Sequence, residues 1–153
     1  MWTDDWKPAL DARFSATVEP MERIKGYLES PYERQCKIKQ NTGKVLGCPV
    51  CSVGSEISTQ EVDVLAKVRE IVSRRRKYLE SAIRDAVAEG MVEPCDPVQK
   101  SVAIQCLMEG AISQARIMND AEPLRNLAAM AFDILRVKYP PSTSSKAMPA
   151  ATS

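Results

Sequence analysis

Between Val64 and Val87 the chain carries ten apolar residues at three- and four-residue spacing: Val64, Val68, Ile71, Val72, Tyr78, Leu79, Ala82, Ile83, Ala86 and Val87. A helix of about seven turns puts them on one stripe, whereas a strand would scatter them over both of its faces. Such a stripe must be buried against other helices or a sheet. No alternating β-branched run between hairpin turns is present to build a sheet. The expected fold is therefore all-α, an antiparallel helical bundle. Ser58-x-x-Glu61 has the form of a capping box and sets the expected start of the long helix, and Gly90 sets its end.

Prolines and caps punctuate the rest. Pro8 opens a short helix to about Ala16. Pro20 suits a first helical position and opens a second helix, with Ile24, Tyr27 and Leu28 on one face. Pro31 lies inside that pattern and is expected to end, kink or divide the helix near Ser30, because proline lacks an N–H and disfavours helical geometry before it. KQNTGK (39–44) reads as a loop. Asp96-Pro97 with Gln99 combines a capping carboxylate with a first-position proline and opens a helix to about Asn119. Pro123 starts the last helix, which ends before Pro140. Residues 140–153, PPSTSSKAMPAATS, combine helix-stopping prolines with small polar residues and are expected to be a disordered tail. The folded unit is expected to span 1–139.

Bulk properties narrow the function. The 153 residues can bury one sizeable core. A net charge of +1 exerts no strong pull toward nucleic acid or an anionic membrane. The absence of histidine removes the commonest general base and metal ligand. No glycine-rich phosphate loop, G-x-S-x-G or nucleophile–base pair is visible, so neither catalysis nor a cofactor is expected. The start MWTDDWKPAL has no basic start or apolar core of a signal peptide, and no apolar run approaches the roughly 20 residues that span a bilayer. A cytoplasmic protein without a membrane partner is expected. Five cysteines at irregular spacing fit reduced thiols better than a disulfide framework.

Cys48-Pro-Val-Cys51 admits three readings. A redox dithiol wants a helix start after a strand, exposure and a nearby cation. No strand precedes this one, and the nearest cation in sequence is Lys44. A structural zinc wants about four ligands, so Cys36, Cys95 and Cys106 would have to converge on the pair. The third reading is burial in a packed helix, which raises a thiol's pKa and leaves the two cysteines reduced and unjoined. Packing is the reading adopted.

Other polar groups are read as follows. SRRRK (73–77) is a solvated helix face, with Glu70 opposite Arg74 and Arg76 opposite Glu80. Glu109 and Asp133 lie in largely apolar helices, where burial is costly without a partner. Glu109 is either a pocket acid or a partner of Arg116 or of another subunit. The side chains expected to line a ligand pocket are Trp6, Phe14, Tyr27, Cys48, Cys51, Tyr78, Met108 and Met118, with Gln105 or Gln114 as polar handles.

VAIQCLMEGAISQARIM (102–118) and LRNLAAMAFDIL (124–135) are apolar around most of their circumference, so each is expected to be buried on two sides. A second copy of the chain would supply one side, in a four-helix interface through Leu107, Gly110, Ala111, Gln114, Leu127, Met130, Ala131 and Ile134.

The order of these pieces resembles the C-terminal domain of TetR-family transcriptional regulators. The resemblance rests on ERIKGYLE (22–29), GCPVCSVGSEIS (47–58), RRRKYLESAIRDAVAEGMV (74–92), DPVQKSVAIQCLMEGAISQARI (96–117) and DAEPLRNLAAMAFDIL (120–135). Cys48 falls on the cysteine of the family's GCxxGxxxxE, while Cys51 stands where glycine is more usual. The family's N-terminal helix-turn-helix, ending in a stretch like YxHFxSKExL, has no counterpart in these residues. The resemblance implies an effector-binding and dimerisation domain. A small apolar or amphipathic ligand would enter a cavity among the helices and shift the spacing of the DNA-reading heads. Contact with DNA would come only through a helix-turn-helix this chain does not carry. The rival readings are a stand-alone helical ligand carrier or scaffold dimer, and a cysteine-based redox or metal sensor.

Overall fold

The computed structural model describes residues 6–57 and 61–137. Among these residues six helices and one 3₁₀ turn follow one another: α1 (Trp6–Arg13), α2 (Pro20–Thr42), α3 (Pro49–Ile57), α4 (Val62–Ala88), α5 (Pro97–Met118), the 3₁₀ turn (Glu122–Leu124) and α6 (Leu127–Leu135). Among the described residues there is no strand; one isolated antiparallel bridge, Val92 to Val137, ties the loop after α4 to the end of α6. The expected tail, 140–153, lies outside the described residues.

α2 departs from expectation. It passes through Pro31 without ending and continues to Thr42, so most of KQNTGK is helix. Pro31 cannot donate to the carbonyl of Tyr27, but the Ser30 hydroxyl donates to that same oxygen at 3.1 Å. The orphaned acceptor is thereby satisfied, and the buried proline ring adds to the core. The helix stops where Gly43 turns left-handed and its N–H reaches Lys39 O at 2.8 Å.

The long helix starts at Val62, later than expected. Glu61 is the extended residue before it and makes no side-chain cap bond; Ser58 lies outside the described residues. Its end is as read. Met91 N bonds Ala86 O at 2.9 Å across Gly90, the pairing that closes a helix on a left-handed residue. Asp96 caps α5, accepting from Val98 N at 2.9 Å and Gln99 N at 3.3 Å. Pro123 opens only the 3₁₀ turn, so the last helix begins at Leu127.

α4 runs through the middle, packed on α2, α3 and α5, and α5 in turn packs on α6 and the 3₁₀ turn. Ile24 and Leu28 of α2, Leu79 and Ile83 of α4, Ile104 of α5 and Leu127 of α6 are fully buried. Arg23 fixes α2 to α4. Buried itself, it ion-pairs with Asp85 and donates Nε to Val18 O at 2.6 Å, which holds the turn between α1 and α2. Asp85 keeps 43% of its side chain exposed, so solvent screens the pair and its loss costs less than that of a fully buried one.

Candidate functional site

The site is built on the start of α3. Gln35, fully buried on α2, clamps the loop before it. Its Oε1 accepts from Leu46 N and Gly47 N, each at 3.1 Å, and its Nε2 donates to Gly47 O at 3.0 Å. Asn119, at the end of α5, accepts from Val45 N at 2.8 Å. Gly47 has φ +77°, and a Cβ there would meet Arg116 Cδ at 3.2 Å, so this position requires glycine. The clamp delivers Cys48 to the residue immediately before α3, where Ser52 N reaches Cys48 O at 3.1 Å.

Cys48 is buried and Cys51, one turn on, is half-buried; both are free thiols. Helix α3 packs on α4, as expected. The electrostatics are not those of inert packing. The Cys51 thiol donates to the Cys48 sulfur and holds the Cys48 thiol well below its ordinary pKa; burial opposes this, and the Cys51 N–H and the Arg75 guanidinium add to it. The reciprocal effect, with burial, pushes Cys51 up. The pair shares one proton and presents Cys48 as a thiolate. The expectation that burial would raise this thiol is corrected: the donors outweigh desolvation. The cation is Arg75, whose Nη1 lies 3.7 Å from Cys48 Sγ, rather than Lys44.

Cys48 opens onto a cavity of about 260 Å³ between α1, α2, α4 and α5. Trp6, Leu10, Tyr27, Pro31, Met108 and Ile112 give it apolar walls, and Arg13, Arg34 and Arg75 give it positive charge. No carboxylate is among its described lining residues. Arg75 also lies over the Trp6 ring, 5.7 Å from its centroid. Tyr27 is 6% exposed, and its hydroxyl has no hydrogen-bond partner. Burial pushes the pKa of that hydroxyl up to about 12, against the pull of Arg75. A neutral, unpaired donor and a thiolate therefore share the wall of one cavity.

The expected pocket residues divide. Trp6, Tyr27, Cys48 and Met108 line the cavity. Cys51 lies in a neighbouring cleft that Cys48 also lines, with Glu109 and Arg116. Phe14 and Tyr78 do not line the cavity. Phe14 packs edge-on against Tyr27, ring centroids 5.7 Å apart, and at a tilt against Tyr78 at 5.3 Å, and the Tyr78 hydroxyl bonds Asp11. Gln105 is buried and donates to Glu109 at 2.9 Å, and its Oε1 is unpartnered. Met118 and Gln114 are exposed at the surface. Glu109 is thus partnered by Gln105, while Arg116 turns to the Ser52 hydroxyl. Glu80 pairs with Arg84 and not with Arg76, whereas Glu70–Arg74 forms at 2.7 Å. Asp133 is exposed and bears no burial cost.

No group of three metal-binding side chains converges among the described residues. Cys36 sits against Tyr32 and Arg125 instead of joining the pair. On the outer face, Gly110, Gln114 and Met130 are exposed, and Leu107, Ala111 and Ile134 are half-buried. Leu127 and Ala131 are corrected as interface residues, because both are fully buried in the chain's own core.

Arg75 is the residue the sequence reading missed. It sits within the basic SRRRK run, yet it stands four residues from both Ile71 and Leu79, on the buried row. A charged residue in the gap of an apolar stripe was the available signal.

The class the fold defines is an all-α bundle with a cavity lined from α1, α2, α4 and α5 and by Cys48 at the head of α3. The sequence profile of the Tetracyclin repressor-like C-terminal domain matches residues 20–131, and the chain belongs to that family. Two solved structures share its fold. Reduced E. coli NemR is 21% identical with a TM-score of 0.71, over 90% of this chain and 69% of that one. The regulatory protein TetR from Rhodobacter sphaeroides is 20% identical with a TM-score of 0.70, over 85% and 68%. A comparison with curated proteins finds no sequence match. No helix among the described residues is long and apolar enough to cross a membrane.

Proposed function

We propose that this chain is the effector-binding and dimerisation domain of a TetR-like transcriptional regulator. Its effector is a small amphipathic molecule with an aromatic or aliphatic body and a negatively charged end. The observation that carries the reading is the cavity of about 260 Å³ beside the unpaired hydroxyl of Tyr27. A buried donor without a partner costs about 1–3 kcal/mol, a cost a ligand acceptor would offset. Among the described lining residues the three arginines outnumber the single Cys48 thiolate, which favours an anion. The ligand touches α1, α2, α4 and α5 together, so filling the cavity favours one packing of these helices over another. Through α1 that change would reach a DNA-reading unit N-terminal to it, as the family's architecture implies.

Apolar side chains left outside on the last two long helices support the dimer. Val102, Ile117 and Met118 of α5 and Met130 of α6 are exposed, Ile117 at 71% and Met118 at 67%. A two-fold copy packed on α5 and α6 would bury part of this surface.

A thermal-shift panel of aromatic carboxylates and their neutral amides tests the effector. A carboxylate at about 100 times its Kd adds about 2.7 kcal/mol to stability, whereas its amide adds clearly less. Equal shifts for both sets, or none for either, would overturn the anionic-effector reading.

A further inference from the structure

We propose that Cys48 and Cys51 form a hydroperoxide-reactive dithiol: Cys48 reduces a peroxide that enters the cavity, and Cys51 then closes an intrachain disulfide. This goes beyond the effector reading, and its chemistry is read directly from the thiols.

Three features of the geometry support it. Cys48 stands immediately before α3, with Pro49 as the first helical residue, and Cys51 is one turn away. Helix N-termini and C-x-x-C spacing both stabilise a thiolate. Arg75 sits 3.7 Å from that sulfur, in position to balance the charge that moves to the peroxide's leaving oxygen. Third, Tyr27 supplies a buried, unpartnered hydroxyl in the same cavity wall, a donor for that leaving oxygen.

The reaction balances with one peroxide. The Cys48 thiolate attacks the nearer oxygen of ROOH, forming the S–O bond of a sulfenic acid as the O–O bond breaks. RO⁻ leaves and takes a proton to become ROH. The Cys51 sulfur then attacks the Cys48 sulfur, expelling hydroxide, which takes the Cys51 proton and leaves as water. Two thiols are oxidised to one disulfide, and one peroxide is reduced to an alcohol and water.

Closure also moves the cavity. Positions three apart on a helix hold Cβ atoms about 5–6 Å apart, and a disulfide needs about 3.5–4.5 Å. Cys48 is therefore drawn toward Cys51 by roughly 1–2 Å. It is a wall of the cavity, so oxidation reshapes the ligand site.

The test treats the reduced full chain with one equivalent of hydrogen peroxide at pH 7. Remaining thiols are alkylated and peptides are mapped by mass. The expected main product is a peptide holding Cys48 and Cys51 that has lost two hydrogens and is restored by dithiothreitol. In Cys51→Ser, Cys48 should stop at a sulfenic acid trapped by dimedone. In Tyr27→Phe, which keeps the fold's apolar contacts, the disulfide should form several-fold more slowly. Oxidation falling mainly on Cys36, Cys95 or Cys106, with the pair still reduced, would overturn the proposal. An unchanged rate in Tyr27→Phe would overturn the part given to that hydroxyl. These masses are read with no effector present, so their failure is distinct from failure of the effector reading.

Discussion

Replacing Tyr27 by phenylalanine should stabilise the ligand-free protein. Most core substitutions destabilise, so the sign is informative. The ring of Tyr27 packs against Phe14 and belongs to the core cluster, and phenylalanine keeps that ring. Only the hydroxyl is lost, and it has no partner. Leaving a buried polar group unpaired costs about 1–3 kcal/mol, so its removal should return about 1–2 kcal/mol. At about 2.1 cal/mol/K of unfolding entropy per residue, a chain of 153 residues shifts by roughly 3 °C per kcal/mol. The expected rise in Tm is therefore about 3–6 °C, measured by calorimetry at fixed protomer concentration because association also moves Tm. The same variant should bind the effector more weakly, since the lost donor is the one the ligand would satisfy. A fall in Tm of several degrees would refute the reasoning, because it would mean the hydroxyl is already satisfied in the free protein.

Other perturbations test the scaffold and the assembly. Gln35→Leu leaves Leu46 N and both polar groups of the Gly47 backbone without their partner; a loss of roughly 3–5 kcal/mol is expected in urea unfolding. Gly54→Ala would normally help a helix, but its Cβ would lie 2.9 Å from Val68 Cγ1, so a loss of about 1–2 kcal/mol is expected by the same assay. Light scattering at micromolar concentration should give twice the chain mass, and Met130→Glu, an exposed change, should shift it toward the monomer with helicity retained. A well-folded monomer in the unmodified chain would rule out the proposed interface.

Much of the fold was legible because its signals are local and redundant. The α4 stripe, the Asp96-Pro97 cap and the Gly90 stop each specify an element without help from distant residues. Pro31 was misread because its cost depends on whether the Tyr27 carbonyl finds another donor, and one serine hydroxyl supplies it. The Glu61 arm of the Ser58–Glu61 box makes no cap contact, and the helix starts one residue after it. In the site, aromatic and sulfur residues pointed toward the cavity, but periodicity does not say which aromatic faces which void. Phe14 and Tyr78 went into packing while Tyr27 kept an open hydroxyl. The Cys48 thiolate was hidden for a different reason. The Cys51 thiol lowers its pKa most, and a further part comes from Arg75, a residue 27 positions away whose side chain crosses from α4 to the head of α3.

The central claim is that the cavity binds an amphipathic anion, and one titration tests it directly. 1-Anilinonaphthalene-8-sulfonate joins an aromatic body to an anionic end and fluoresces when removed from water. It is titrated into the protein and into Ala9→Trp, a change at an exposed rim position that should obstruct the cavity without straining the core. The account predicts one saturable site per chain in the unmodified protein and at least a tenfold weaker site, worth about 1.4 kcal/mol, in the variant. Equal affinity in both proteins, or no saturable site in either, would contradict it.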